Sequence, residues 1–362
     1  MFTIETIRTA PKILLHDHLD GGLRPATIIE LAKKAGNKEL PTYNEHELSN
    51  WMIDTANRND LKLYLEAFTH TISVMQTKEA IYQVAAECAE DLTEDGVIYA
   101  EIRFAPELHL DGGLKVTEVI ESALSGFRDS TRESDTTINV LICAIRSHSH
   151  SKEMMEFALQ FRRRGVVGFD IAGPEIGYPP TNHLAAFKLA RENNFPFTIH
   201  AGEVGGSEYI EEAINQCGAA RIGHGLGIRD DLSVDGNGDL SMSDLALYIR
   251  DRQIALEMCP TSNLHIGAVQ SIAEHPIDLF LKLGFCATIN TDNRLMSATS
   301  LTDEINKCGL SFGWDLTMVH RLMKNALHSS FTASELKEDL DAKLSDWYLD
   351  RPAMNGNDDA LH

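Results

Sequence analysis

Basic residues are scarce in this chain of 362 residues: 32 lysines and arginines face 54 acidic residues, for a net charge of -22. Such a surface repels polyanions, which excludes nucleic acid and anionic membrane as partners and favours a small substrate, neutral or cationic. Paired cysteines are missing as well. Cys88, Cys143, Cys217, Cys259, Cys286 and Cys308 lie far apart with no C-x-x-C spacing, so neither a disulfide frame nor a cysteine zinc knuckle is indicated. Four of them sit inside apolar runs and read as reduced core thiols. No apolar run approaches membrane-span length, and the opening MFTIETIRTAPK lacks the basic stretch and apolar core of a secretory signal. A cytoplasmic location is therefore the expectation. Low-complexity tracts are absent too, and with 43% hydrophobic and 24% charged residues the composition is that of a folded globular protein. The length allows two domains or one large barrel with insertions.

What is present is a regular alternation. Short apolar or β-branched runs occur at Ile13–Leu15, 97–104, 138–145, 166–171, 195–199, 222–225, 254–258 and 286–289. Between them lie segments with apolar residues at three- and four-residue spacing: 115–132, 151–164, 183–193, 207–216, 240–251 and 271–283. Apolar strands separated by helices call for a parallel sheet covered on both faces. Eight such units point to an α/β fold, a closed (β/α)8 TIM barrel, although periodicity alone leaves an open doubly wound sheet as the alternative. The long segment from Leu23 to Asp95 after the first strand reads as extra helices, including 25–34 and 77–92, and as an excursion that could form a lid, with an apolar stripe at Tyr64–Phe68 that could wall a pocket. Helices at 301–308, 316–326 and 333–348 complete the shell. Residues 1–354 are expected to form one domain, with 355–362 a frayed polar tail.

Chemistry-bearing residues gather at the ends of these runs. The first ends in His16-Asp17-His18-Leu19-Asp20-Gly21, the fourth in Asp170-Ile-Ala-Gly173, the fifth in His200-Ala-Gly-Glu203, the sixth in Gly223-His224-Gly225 and the eighth in Asn290-Thr-Asp292-Asn293. Residues two apart on a strand share a face, so His16 and His18 aim into one pocket with Asp20 continuing the row, while Asp17 points away. Three imidazoles and a carboxylate, from His16, His18, His200 and Asp292, suit a catalytic zinc site with a position left for water. They converge only if the sheet closes. His224 could take a proton from such a water, and Glu203 could serve as a general acid if burial keeps it protonated.

These motifs, in order and spacing from about Lys12 to Ser297, resemble the adenosine deaminase family of the amidohydrolase superfamily. The resemblance implies that His16, His18, His200 and Asp292 bind one Zn2+ per chain. It further implies that water attacks carbon 6 of adenine with the help of His224 and Asp292, that Glu203 protonates ring nitrogen 1, and that the Gly173 N–H meets nitrogen 3. Asp20 matches the carboxylate that reads the ribose 5'-hydroxyl, where adenine deaminases resemble this pattern with Glu. Adenosine or 2'-deoxyadenosine is thus favoured over the free base, in a purine salvage role. Strand four offers no lysine for a bridging carbamate, which implies a single metal. Asn293 departs from the family, where a second Asp commonly meets nitrogen 7. An amide donates to that acceptor without a pKa shift, so purine selectivity and pH profile are the properties the departure affects.

Other motifs are weaker. His148-Ser-His150 reads as an exposed polar loop before a second metal pair or a contact with the nucleoside. Asp235-Gly-Asn-Gly-Asp239 reads as a turn, because Leu240 and Ala246 occupy positions where a calcium loop needs Gly and Glu. The competing functions are deamination of adenine or a modified adenine nucleoside, and a nucleoside-binding barrel without catalysis.

Overall fold

The computed structural model describes residues 2–58, 64–65, 67–234, 236 and 240–349. Strands β1 (Lys12–His18), β2 (Val97–Phe104), β3 (Thr137–Ile145) and β4 (Val166–Ala172) form one parallel sheet in that order. Strands β5 (Thr198–Ala201), β6 (Arg221–His224), β9 (Ala255–Met258) and β10 (Ala287–Ile289) form a second, in the order β10-β9-β6-β5. Two isolated parallel bridges, Asp17 with Asp292 and Phe169 with Phe197, join the sheets at both edges. The eight strands therefore close into a barrel. Closure settles the alternative that periodicity left open, and it places every strand's C-terminal end on one face.

The strands read as unbroken apolar runs because both faces are covered: Ile13, Leu14, Leu15, Ile102, Val140, Ile142, Ile171 and Ile199 are all fully buried. Threaded through this core is a chain of alternating charges. Arg221 bridges Glu101 (2.7 Å) and Glu257 (2.6 Å), and Arg103 bridges Glu257 (2.8 Å) and Asp170 (2.6 Å). All five side chains are essentially sealed from solvent, so each charge depends on its neighbours for compensation.

Between β1 and β2 stand helices Pro25–Ala35, Glu45–Ala56, Phe68–Val74 and Lys78–Glu94; Leu301–Phe312, Leu316–Ser329 and Ser334–Leu349 close the far end. Two expected helices differ. The segment 240–251 begins as a strand: β8 (Leu240–Met242) pairs antiparallel with β7 (Leu232–Val234), and the helix starts only at Asp244, where the Ser243 hydroxyl accepts from the Ala246 N–H. The segment 271–283 is broken by Pro276 into a 3-10 turn, Ile272–Glu274, and a helix, Ile277–Lys282. Most of the Asp235–Asp239 turn and the whole of 355–362 lie outside the described residues. Every cysteine is free and buried. Among the described residues no helix is long and apolar enough to cross a membrane.

Candidate active site

His16 and His18 leave β1 on the same side, His200 leaves β5, and Asp292 follows β10; one ligand atom from each lies within 4.8 Å of the others. Asp292 takes a left-handed conformation at φ +58, as does His224 at φ +62, a cost of about 1–2 kcal/mol for each non-glycine residue. Backbone pairing holds Asp292 there: its N–H donates to His16 O at 3.0 Å and its carbonyl accepts from the His18 N–H at 2.8 Å. The same contact closes the barrel.

The ligand nitrogens are set from behind. His16 Nδ1 meets Glu257 Oε2 at 3.0 Å and His200 Nδ1 meets Asp170 Oδ2 at 2.9 Å. A neutral imidazole that gives its Nδ1 proton to a carboxylate presents a lone pair at Nε2. His16 Nε2 is buried with no hydrogen-bond partner, and His18 Nε2 and His200 Nε2 lie only 3.3 Å apart. Asp292 Oδ1 sits 3.5 Å from His16 Nε2 and 3.4 Å from His18 Nε2. Converging lone pairs and a carboxylate repel one another unless a cation lies among them, and three nitrogens with one oxygen are the donors of a borderline divalent metal. The residues fit the implied metal.

These groups face a cavity of about 210 Å3, lined on its polar side by His18, Asp20, His200, Glu203, Asp292 and Asn293 and on its apolar side by Leu65, Phe68, Ile72, Leu108 and Ile145. Its size is that of a small-molecule site. Tyr64, Leu65 and Phe68 of the expected stripe do wall it; residue 66 lies outside the described residues. A larger groove of about 710 Å3 runs between helices Lys78–Glu94 and Val116–Ser130, but no candidate metal donors converge there among the described residues.

Burial pushes the Glu203 carboxyl well above its ordinary range, and the charges of Asp292 and Glu175 reinforce the shift. A buried neutral carboxylic acid is a proton donor. Its Oε1 lies 3.6 Å from His224 Nε2. Burial, with His16 nearby, pushes His224 well below its ordinary range, so its ring is neutral. A chain of hydrogen bonds fixes which nitrogen carries the proton. Burial lowers His275 to about 3, and its Nδ1 accepts from the Ile277 N–H at 3.2 Å. His275 Nε2 then donates to Asn263 Oδ1 (3.2 Å), and Asn263 Nδ2 donates to His224 Nδ1 (3.1 Å). His224 therefore shows Nε2–H to the site, as a donor.

Asp20 lies in the 3-10 turn after β1, buried at the cavity wall, and Gly173 at φ +108 lines the same space. The pair Gly21-Gly22, which follows Asp20, is required for space and not for backbone conformation: neither has positive φ. A Cβ on Gly21 would stand 1.9 Å from Asn293 Oδ1, and one on Gly22 2.5 Å from Arg294 Nη2. Asp17 has the structural role its outward direction suggested, accepting from Thr291 Oγ1 at 2.7 Å and Arg294 Nε at 2.9 Å. His148 and His150 are exposed and share the Glu107 carboxylate at 3.1 and 3.3 Å; among the described residues no metal grouping includes them, but His148 also lines the cavity, where a contact with a bound molecule is within its reach.

Sequence reasoning missed Glu257, Arg103, Ser262, Asn263 and Glu175, and gave Asp170 no task. Glu257 carried a signal: an acid inside the apolar run Ala255–Met258 has to find a buried partner. Ser262 Oγ donates to Asp292 Oδ2 at 2.6 Å, a contact between distant segments that no local pattern marks.

A closed eight-stranded barrel with a converging His3Asp donor set at its C-terminal face defines a metal-dependent hydrolase of the amidohydrolase type. The family model described as adenosine deaminase matches residues 11–347. An adenosine deaminase of Mycobacterium marinum is 49% identical over 338 residues, 92% of this chain and 93% of the relative. One of Mycobacterium tuberculosis is 49% identical over 334 residues, 91% and 92% respectively. The chain belongs to the adenosine deaminase family. Among solved structures, an adenine deaminase from Arthrobacter aurescens shares the fold at TM-score 0.84 and 24% identity, over 93% of this chain and 99% of that one. A zinc-bound amidohydrolase from Burkholderia ambifaria shares it at TM-score 0.83 and 20% identity, over 96% and 94%.

Proposed function

We propose that this chain converts adenosine and 2'-deoxyadenosine, with water, into inosine or 2'-deoxyinosine and ammonia, using one zinc ion held by His16, His18, His200 and Asp292. The observation that carries the reading is a buried, protonated Glu203 facing the same small cavity as the converging donor set. Zinc, when bound, supplies Lewis acidity that brings the pKa of water down to about 7 and so provides a nucleophile at neutral pH.

The chain's own groups do the rest. Glu203 gives its proton to ring nitrogen 1, which draws electron density from carbon 6 and readies it for attack. His224, fixed as an Nε2–H donor, steadies the attacking oxygen. The carboxylate of Asp292 takes the proton released by the water, held in place by the Ser262 hydroxyl. We therefore assign the base role to Asp292 and the donor role to His224, a revision of the expectation that His224 accepts the proton. Transfer of that proton to the exocyclic nitrogen lets ammonia leave; as the carbonyl forms, the remaining proton on the carbon 6 oxygen returns to Glu203, so one water is consumed per ammonia formed and the acid is restored. Asp20 accepts from the 5'-hydroxyl, the Gly173 N–H donates to nitrogen 3 and the Asn293 amide to nitrogen 7. The apolar wall of Leu65, Phe68 and Ile72 keeps other water out. We take the barrel, residues 1–354, to act as one domain, in the cytoplasm.

A substrate panel tests this. Metal-replete protein is offered adenosine, 2'-deoxyadenosine, adenine and an N6-methylated adenine nucleotide, and ammonia or methylamine release is measured. The nucleosides should show the highest kcat/KM, and preference for the free base or the nucleotide would contradict the reading of Asp20.

A further inference from the structure

Glu175 stands in the loop that leaves β4, two residues beyond the cavity-lining Gly173, and is 1% exposed. Its carboxylate accepts four consecutive backbone N–H groups from the next loop of the barrel. Oε1 takes Gly202 at 2.6 Å; Oε2 takes Glu203 at 3.1 Å, Val204 at 2.9 Å and Gly205 at 2.7 Å. Gly202, at φ +67, curls the chain so that successive N–H groups converge, a concave anion site made of backbone. Here the anion is part of the protein. Among the described residues Glu175 makes no ion pair within 4 Å, so these N–H groups are its direct compensation.

The gripped loop carries Glu203. Its backbone N–H is one of the four, and the nearest regular elements, ending at Ala201 in β5 and starting at Ser207 in the next helix, lie outside the grip. With no anion there, the converging N–H dipoles would repel one another, those of Gly202 and Glu203 in buried surroundings, and the loop would open. We propose that Glu175 is a positioning residue for the reaction: by clamping Gly202–Gly205 it fixes where the Glu203 carboxyl stands relative to substrate nitrogen 1. The inference rests on the reading of Glu203 as the proton donor.

The test is a double-mutant cycle on full-length, metal-replete protein with adenosine as substrate. Glu175→Gln keeps the side chain's size and replaces one acceptor oxygen with an NH2 that faces donors. Its kcat should fall about 100-fold, the scale of a displaced catalytic group, with KM moving far less and metal content unchanged. In a Glu203→Gln background the same substitution should cost nothing further, because the group it positions has already lost its proton. Glu175→Asp, which keeps the charge but stands one methylene short, should recover part of the loss, and it runs through the same cycle if Glu175→Gln does not fold. Equal fold-losses in both backgrounds would show a merely structural role and overturn the proposal. A crippled Glu203→Gln beside a Glu175→Gln of wild-type rate would overturn the positioning role alone; near-normal rate in Glu203→Gln would overturn the acid reading, and the positioning role with it.

Discussion

Asp170→Asn should loosen the metal without changing which nitrogen of His200 faces it. One oxygen of the buried Asp170, Oδ2, meets both His200 Nδ1 at 2.9 Å and Arg103 Nη1 at 2.6 Å. Both neighbours bring N–H groups, so in the variant the amide oxygen must take that position, since an NH2 there would face two donors. His200 accordingly keeps its proton on Nδ1 and its lone pair on Nε2. What is lost is charge: the imidazole becomes a poorer donor to the metal, and Arg103 is left with Glu257 as its one carboxylate partner. Carboxylates that orient metal-binding histidines are typically worth about 10- to 100-fold in affinity, or about 1.4 to 2.8 kcal/mol. The assay is competition for zinc between the protein and a chromogenic chelator of known affinity, with wild type alongside. At saturating zinc the variant should regain most of the wild-type kcat, because all four ligands remain in place. Unchanged zinc affinity would refute the reasoning, and so would a rate that stays low at saturating zinc, since that would mean the ring or its tautomer had changed.

Glu203→Gln should retain its metal and fold and lose about 10^2 to 10^4 in kcat, the usual contribution of a general acid. Burial, Asp292 and Glu175 raise the Glu203 pKa, so the active form is the protonated one: wild-type kcat/KM should decline as pH rises through that raised value, and a profile without an alkaline decline traceable to Glu203 would contradict the assignment. Asp20→Ala should raise KM for adenosine by about 10-fold, the worth of a lost hydrogen bond, most clearly above the value of about 7 to which burial raises this carboxyl, and leave adenine nearly untouched; equal effects would remove Asp20 from ribose recognition. Gly21→Ala places a methyl 1.9 Å from Asn293 Oδ1, and should cost about 1–3 kcal/mol in thermal or denaturant stability and displace the amide, seen as a lower kcat/KM for adenosine. A variant matching wild type in both would show that the two segments move apart freely.

The barrel and the convergence of the candidate metal donors were legible for one reason. Each donor sits directly after an apolar run, so locating His16, His200, His224 and Asp292 at strand ends needed only local pattern, and closure of the sheet was the single non-local assumption. The orienting network was not legible, because its partners are far apart in sequence: Arg103 and Glu257 are separated by 154 residues, Asp292 and Ser262 by 30. Which of many buried acids faces which histidine depends on strand register, and periodicity carries no register. The tautomer of His224 was hidden in the same way, since it follows from Asn263 and His275 in a loop with no motif of its own. Local pattern also failed where two signals overlapped. Leu240–Met242 has the apolar spacing of a helix start, but β7 lies within reach and the chain pairs there as a hairpin until Ser243 caps the helix.

The most direct test of the whole account is a zinc titration of metal-stripped protein while adenosine turnover is followed. With His16, His18, His200 and Asp292 forming a single site, activity should be absent at the start, rise linearly and reach its plateau at one zinc per chain, with ammonia and inosine formed in equal amounts. Full activity in the stripped protein, or a plateau reached only at two zinc ions per chain, would contradict it.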